Sequence, residues 1–583
     1  MDTESDEEGR RDAQHQEHTN MNLLDRRAGL TIELAKNPYD LFVYIKRALV
    51  HGDLGYPDLA AGDAYRALLL TDEANEDGQE YYDQATEALQ KYLEHPGRLR
   101  DIYTANKEER GQETERLFSE GQMDQENLLR IARIKCFRIL SISLLLCGCL
   151  KTAWDFSVQG IAIAPEDQEL IQAQEYISGL AERKLRRSDV APADFPDQGL
   201  VRREIYPWNT HEPDRYSNET LEFLNRELAQ VAPKCEAKVT ELPTLQDGVP
   251  QPDANGNIPT NKQLGVFAKE DIAPGETVLE EVSVLCANNR FHNPLCDCCS
   301  SELPTLDERK KGTGAPVECQ DCYVPFCSQE CHDLAQETYH PAVCEKEVDS
   351  IAKQVDRAEI PDMLYFLLLA RAIAMAATQE VHPLDLKEVK YIWGDFLPTK
   401  SNAVPLSPKA GPPPIWTLPF SFKANILNPL HVLEKMDIDI FADGEKWDLW
   451  TCNTLYAKFR GTASSRIGRD GKPEVAAVHP LWCLANHDCD PNVQWEWGGR
   501  MRLWARKTRM TKNKAPGIKA GQEILNHYTD IELPVQERRE WAAGSLGGHC
   551  LCERCRTESA ANADAAATAA ATTHGDVRMR NGV

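Results

Sequence analysis

From about residue 21 to residue 185 the apolar positions recur at intervals of three and four with few β-branched runs, and this spacing predicts amphipathic helices. Within that stretch "LAAGDAYRALLL" places Ala60 and Ala67 seven residues apart. "CGCLKTAWDFSVQGIAIAP" repeats the interval with Ala153 and Gly160, and Pro165 closes the unit. Small residues so spaced let two helices of a hairpin approach closely. The period is lost over residues 186–216, where "DVAPADFPDQG" and "YPWNTHEPDRYS" predict a linker, followed by a short helix over Glu219–Gln230. Alternation then takes over. In "LGVFAKEDIAPGETVLEEVSVLCA", residues 264–287, two alternating segments flank Pro274–Gly275 and predict a hairpin. Lys346–Gln379 predicts one or two helices, with "MLYFLLLARAIAMAA" apolar enough to be buried, and residues 380–450 turn proline-rich, with "KAGPPPIW" a loop. The acidic first 20 residues and the alanine-rich "AANADAAATAAATT" predict disordered tails.

A chain of 583 residues is too long for one hydrophobic core, so several domains are expected. Its 92 acidic against 65 basic residues leave a net charge of −27, which opposes general binding to phosphate backbones and favours basic partners such as a lysine-rich protein tail. One local exception is a run of cations, Arg500, Arg502, Arg506, Lys507, Arg509, Lys512, Lys514 and Lys519, with no acid between them. It reads as a solvated strand face, or as a surface that touches DNA or an acidic protein. The longest apolar candidate, Ile139–Cys147, is far too short to span a bilayer, and the acidic start has no apolar signal region. A soluble protein of a reducing compartment is expected, so the 19 cysteines call for metal rather than disulfides.

The spacing of those cysteines is specific. Cys296-x2-Cys299, Cys319-x2-Cys322, Cys327-x3-Cys331 and His340-x3-Cys344 supply eight ligands in four pairs, enough for two closed tetrahedral zinc sites. The order of the pairs, with Tyr323 and Phe326 beside the third, resembles a MYND zinc finger. The resemblance implies interleaved sites, the first pair sharing its ion with the third and the second with the fourth, and it implies recognition of proline-containing peptides. A module of about fifty residues builds little core, so its metals supply much of its folding energy.

Further on stands Asn486-His487-Asp488-Cys489-Asp490-Pro491-Asn492, then Asn526-His527-Tyr528, an amphipathic helix, and Cys550-x-Cys552-x2-Cys555. The triad leaves a tetrahedral site one ligand short. Together these segments resemble the C-terminal half of a SET domain with its post-SET zinc site, a resemblance that implies Cys489 as the fourth ligand, and residues 264–287 resemble the opening of the same domain. The stretch 235–557 as a whole resembles the SET and MYND domain-containing protein-lysine methyltransferases, and the two small-residue units upstream resemble tetratricopeptide repeats. Carried over residue by residue, the resemblance implies that Gly265, Asn453, Asn486 and His487 contact S-adenosylmethionine. It makes Tyr528 the catalytic tyrosine. The chain departs from the pattern in two places. Gln263 stands where a first glycine is usual, and Gly547-Gly548-His549 replaces an aromatic expected to stack on adenine, a role open to His549 or Trp541.

The expected fold class is α+β and multidomain. Its parts are an acidic tail (1–20), a tetratricopeptide-like helical domain (21–185), a linker (186–234), the first part of a SET domain (235–290), a MYND-type finger (291–345), a helical insert (346–450), the second SET part (451–546), a post-SET zinc site (547–557) and a tail (558–583). The resemblance implies methyl transfer from S-adenosylmethionine to lysines of histones or other proteins, with three structural zinc ions and no membrane role. Work in the nucleus, the cytoplasm or both is expected. The competing class is a catalytically weak or inactive scaffold that binds protein partners through the helical repeats and the finger.

Overall fold

A computed structural model describes residues 21–95, 123–243, 245–246, 249–250, 259–290, 295–310, 315–348, 350–353, 360–393, 417–467, 473–511, 514–546 and 549–562. The acidic tail 1–20, the "KAGPPPIW" loop, Lys512, Gly547–Gly548 and residues 563–583 lie outside them. The chain divides into two compact units, residues 1–203 with 400–454, and residues 204–399 with 455–583.

The first unit is helical. Helices α1 (Leu41–Asp53), α2 (Pro57–Glu73), α3 (Tyr82–Glu94), α4 (Gln125–Cys147), α5 (Leu150–Ile163) and α6 (Gln168–Leu185) follow one another, and α1 packs on α2, α2 on α4, α4 on α5 and α5 on α6. Local chemistry sets their ends. Asp40 caps α1 by accepting the N–H groups of Phe42 and Val43 at 3.1 and 3.2 Å, and Gly148, at φ +90°, ends α4 in the left-handed conformation that glycine tolerates. The close approach read from the small residues is real at Gly160: a Cβ there would stand 2.6 Å from Leu170 and 2.9 Å from Phe137, so only glycine lets α4, α5 and α6 meet. Buried pairs fasten α1 to α2: Arg47 pairs with Asp63 at 2.6 Å and with Asp448 at 3.2 Å, and the His51 ring, pushed down by burial, lies 3.0 Å from the Asp63 carboxylate.

Two expectations about segment boundaries change here. The predicted linker is structured. Its strand β1 (Gly199–Arg202) pairs antiparallel with Thr417–Phe420 inside the first unit, and its helix α7 (Asn218–Val231) packs on a strand of the second. The expected insert 346–450 is likewise divided, because residues 400–454 belong to the helical unit while those before 400 do not. Pairing between segments far apart in sequence decides both, and no local pattern reports it.

The second unit carries the β structure. Strand β2 (Cys235–Pro243) pairs antiparallel with β3 (Thr260–Ala268), setting Lys238 opposite Gly265. Strand β4 (Thr277–Glu281) lies beside β10 (Met501–Ala505), which pairs in turn with β9 (Val493–Trp497). A third small sheet joins β5 (Cys286–Asn288), β8 (Pro473–Ala477) and β7 (Ser464–Ile467). The predicted hairpin around Pro274–Gly275 is therefore corrected. The turn exists, with Gly275 at φ +84°, but β3 and β4 join different sheets. The chain between them is stitched elsewhere: Ile272 bridges Ile518, and the Gly275 N–H donates to the Ala505 carbonyl at 2.7 Å. Inward residues of these strands, among them Val266, Leu279, Val475, Val493, Met501, Leu503 and Ile524, form one core. Helices α8 (Gln329–Thr338) and α9 (Ile360–Thr378) precede α10 (Leu449–Thr462), within which the chain passes from the first unit to the second, and α11 (Val535–Leu546) follows the sheets. Among the described residues no helix is long and apolar enough to cross a membrane.

Candidate methyl-transfer site and metal clusters

Three tetrads of metal-ligating side chains form. Cys296, Cys299, Cys327 and Cys331 make the first, Cys319, Cys322, His340 and Cys344 the second, and Cys489, Cys550, Cys552 and Cys555 the third. In each the donor atoms lie within 4.8 Å of one another. The fit to zinc can be tested on distance, since a tetrahedral ion with bonds near 2.3 Å holds its sulfurs about 3.8 Å apart. Observed sulfur separations run from 3.4 Å for Cys489–Cys555 and 3.5 Å for Cys327–Cys331 to 3.7 Å for Cys299–Cys327 and Cys319–Cys344 and 3.8 Å for Cys489–Cys550, close to that spacing. All nineteen cysteines are free thiols, so none of these contacts is a disulfide. Cys298, which competes by position with Cys296 and Cys299, stays out of the tetrad and uses its carbonyl to accept the Cys286 thiol at 3.0 Å. Around the third tetrad cations offset the thiolates: Arg538 donates to Cys555 Sγ at 3.6 Å, and Arg554 ties the Cys489 carbonyl at 2.8 Å to that of Ile531 at 2.9 Å.

Beside the third tetrad Asn486–His487 runs parallel to Leu525–Asn526, with Asn486 opposite Leu525 and His487 opposite Asn526. This short pair gathers the predicted residues. The Asn486 amide donates to the Leu264 carbonyl at 2.8 Å and to Glu523 Oε1 at 2.7 Å. Gly265 faces the same group, where a Cβ would stand 2.5 Å from Glu523 Oε1 and 3.2 Å from Asn486 Nδ2. His487 Nδ1 accepts the Tyr528 N–H at 3.0 Å, and its Nε2 lies 3.4 Å from Cys489 Sγ. Burial pushes the His487 imidazole down to about 4, so it is neutral with its proton on Nε2, facing the sulfur. The Tyr528 hydroxyl donates to the Ala485 carbonyl at 3.1 Å. One imidazole therefore touches both a metal ligand and the backbone of the tyrosine.

Asn453, for which the resemblance implies a cofactor contact, is engaged within the first unit. It lies in α10 on the first-unit side of the division, 1% exposed, and its amide donates to Asp58 of α2 at 2.8 Å. Of the two residues open to stacking on adenine, Trp541 is 58% exposed on α11 and His549 is exposed.

Sequence reasoning missed Glu523 and Asn492. The Asn492 amide donates to the Glu523 carbonyl at 2.7 Å and its Oδ1 accepts the Leu525 N–H at 2.7 Å, tying the two parallel segments together. The one signal for Glu523 was alternation in "EILNHY", which sets it on the face opposite the buried Ile524. The cationic run is largely neutralised: Arg500 and Arg502 pair with Glu280, Arg509 and Lys514 with Asp490, and Lys519 with Asp271. A fourth group, His211, His382 and Asp385, is close enough to be metal-like but is built as a clasp. Its imidazoles stack at 3.8 Å and 7°, so their in-plane lone pairs run parallel instead of converging on one ion. Lys390 already sits on Asp385 at 3.1 Å.

Residues 263–529 match the family model of the SET domain, so the chain is a SET-domain protein. It is also similar to proteins that join a SET domain to a MYND domain. A SET and MYND domain-containing protein of Dictyostelium discoideum is 25% identical over 311 residues, 51% of this chain and 79% of that protein. The histone-lysine N-methyltransferase set5 of Schizosaccharomyces pombe is 34% identical over 73 residues, 12% of this chain and 21% of that protein. The protein-lysine N-trimethyltransferase SMYD5 of Gallus gallus is 30% identical over 109 residues, 15% of this chain and 26% of that protein. The last two matches span about a quarter of those proteins or less.

Proposed function

We propose that this chain is a protein-lysine N-methyltransferase that uses S-adenosylmethionine and acts on lysines of histones or other proteins. The observation that carries the reading is the convergence of Gly265, Asn486 and Tyr528 on one parallel strand pair braced by a four-cysteine cluster. S-adenosylmethionine supplies the methyl group on a sulfonium. With no Cβ at Gly265, the Glu523 carboxylate and the Asn486 amide close directly on the strand backbone, and the Leu264 carbonyl is a further polar group there. A lysine ammonium has no lone pair and must lose a proton before attack, which burial of its end favours. The Tyr528 proton is committed to the Ala485 carbonyl, so the lone pairs on its oxygen can accept from an incoming amine and orient it; the tyrosine positions and does not act as a base. Zinc in the three tetrads would be structural, each closed by four protein ligands.

The net charge of −27 suits lysine-rich protein segments as substrates, and the helical unit is proposed as a partner-binding module of tetratricopeptide type. A nuclear or cytoplasmic setting accords with the free thiols. One observation favours a second reading, a catalytically weak scaffold: Asn453, an expected cofactor contact, is turned to Asp58. Calorimetric titration of the zinc-loaded chain with S-adenosylmethionine decides between them, together with methyl transfer by Tyr528→Phe. Binding that Asn486→Ala loses, with transfer lowered in Tyr528→Phe at unchanged zinc content, supports the enzyme. No binding to the folded wild-type chain leaves the scaffold.

A further inference from the structure

Strand β4 ends on two glutamates that face opposite ways. Glu280 turns outward to Arg500 and Arg502, whereas Glu281 turns inward and is 5% exposed. Its two oxygens are spent on consecutive backbone groups, Oε1 accepting the Leu481 N–H at 3.1 Å and Oε2 the Trp482 N–H at 2.9 Å. These residues open the one-turn helix Trp482–Leu484, which delivers the chain to Ala485, whose N–H returns to the Trp482 carbonyl at 3.1 Å. Ala485 is the residue whose carbonyl receives the Tyr528 hydroxyl, and Asn486 follows it.

We infer that Glu281 is a positioning residue for methyl transfer: by holding the Leu481 and Trp482 amides it fixes the turn that aims the Ala485 carbonyl at Tyr528 and the Asn486 amide at the cradle beside Gly265. The inference rests on the methyltransferase reading. A buried carboxylate without a cation is costly, and ordinary core building would place an apolar residue or a glutamine here. The groups around Glu281 give it no counter-charge. Met501 stands opposite it on β10, Glu388 adds a second negative charge, and the Cys483 thiol is pushed up by burial first and Glu281 second. His479 is buried and held down to about 3, hence neutral at working pH. Burial first and Glu388 second raise the Glu281 carboxyl to about 7, against the two amides, which lower it. The ionised form accepts both amides strongly, while the protonated form surrenders part of one of them. The anchor should therefore tighten as pH rises through 7.

The test uses the full-length, zinc-loaded chain with S-adenosylmethionine as probe, comparing wild type with Glu281→Gln and Glu281→Asp from pH 6 to pH 8. Glutamine has the same shape but turns an N–H donor toward one of the two amides. Glu281→Gln should lower kcat about ten-fold and weaken the cofactor about five-fold, leaving KM for the lysine substrate unchanged. Glu281→Asp, charged but one methylene short, should restore part of the loss. Wild-type affinity should gain about five-fold between pH 6 and 8 relative to Glu281→Gln, a comparison that cancels titration of the ligand's own amino group. Wild-type kcat and affinity in a folded Glu281→Gln, or parallel pH profiles in the two proteins, overturn the inference alone. Failure of the wild-type chain to bind S-adenosylmethionine overturns the methyltransferase reading and this inference with it. Loss of metal and fold in both variants makes Glu281 a folding residue, and that too overturns it.

Discussion

Gly265→Ala is the sharpest probe of the cradle because its effect can be worked from distances. The added methyl would stand 2.5 Å from Glu523 Oε1, 3.0 Å from Phe267 Cε2 and 3.2 Å from Asn486 Nδ2. The shortest contact is to the far end of a flexible side chain, so the strand survives and the carboxylate yields, by about 0.7 Å to reach van der Waals distance. That displacement stretches the 2.7 Å bond between Asn486 and Glu523 beyond good hydrogen-bond geometry. A hydrogen bond to a charged group contributes about 1.5–3 kcal/mol, so even partial loss at Asn486 should weaken S-adenosylmethionine about ten-fold. Burial raises the Glu523 carboxyl and the Asn486 amide opposes that, so pH 8 is the condition that best ensures the ion. Stability should change by less than about 1 kcal/mol, because the overlap is offset by the conformational freedom that alanine removes from the unfolded chain. Calorimetry gives the affinity and thermal unfolding the stability. A second arm isolates the cause: if the displaced carboxylate carries the effect, Gly265→Ala added to Glu523→Ala costs little more than Glu523→Ala alone. Wild-type affinity in Gly265→Ala would refute the cradle, and a further ten-fold loss in the double variant would move the effect to the strand backbone.

The remaining predictions address metal, packing and proton binding. Elemental analysis should find three zinc ions per chain and two in Cys555→Ser, and a strong chelator should unfold the module spanning Cys296–Cys344, read by loss of amide-exchange protection there. Asn453→Ala should cost about 1–2 kcal/mol in thermal unfolding by removing a buried donor from Asp58, while leaving cofactor affinity unchanged; lost affinity would return Asn453 to the site. His479, buried between the rings of Trp482 and Trp497, is held down to about 3 by desolvation. A depressed pKa contributes stability that is present above 6.5 and is lost as pH falls from 6.5 toward 3, on the order of 5 kcal/mol in all. His479→Phe should therefore flatten the pH dependence of the melting temperature between pH 7 and 5, and an unchanged slope would remove the histidine from the account.

Metal clusters are where local sequence says most. A pair of cysteines with two residues between them already holds two donors on one side of a turn, so eleven candidate ligands could be named from spacing, and Cys489 through the resemblance, with the need for a fourth donor in support. Tyr528, Asn486 and Gly265 were legible through the resemblance of their short motifs, each of which is contiguous in the chain. What closes the site was not legible. Glu523 and Glu281 look like ordinary surface acids in a chain with 92 of them, and only the register of β3, β4 and the parallel pair turns one toward Asn486 and the other inward. The hairpin at Pro274–Gly275 failed for the same reason, since a turn signal reports where the chain bends and not which strand it next pairs with. Asn453 shows the limit most directly. Its motif set it among cofactor contacts, but long-range packing, which no local window contains, gave its amide to Asp58. The sequence by itself determined the metal ligands, the helical first unit and the SET-type motifs, because these depend on neighbours a few residues apart. Tertiary structure decided which segments share a unit and which buried acids serve the site, because those depend on pairings that span hundreds of residues.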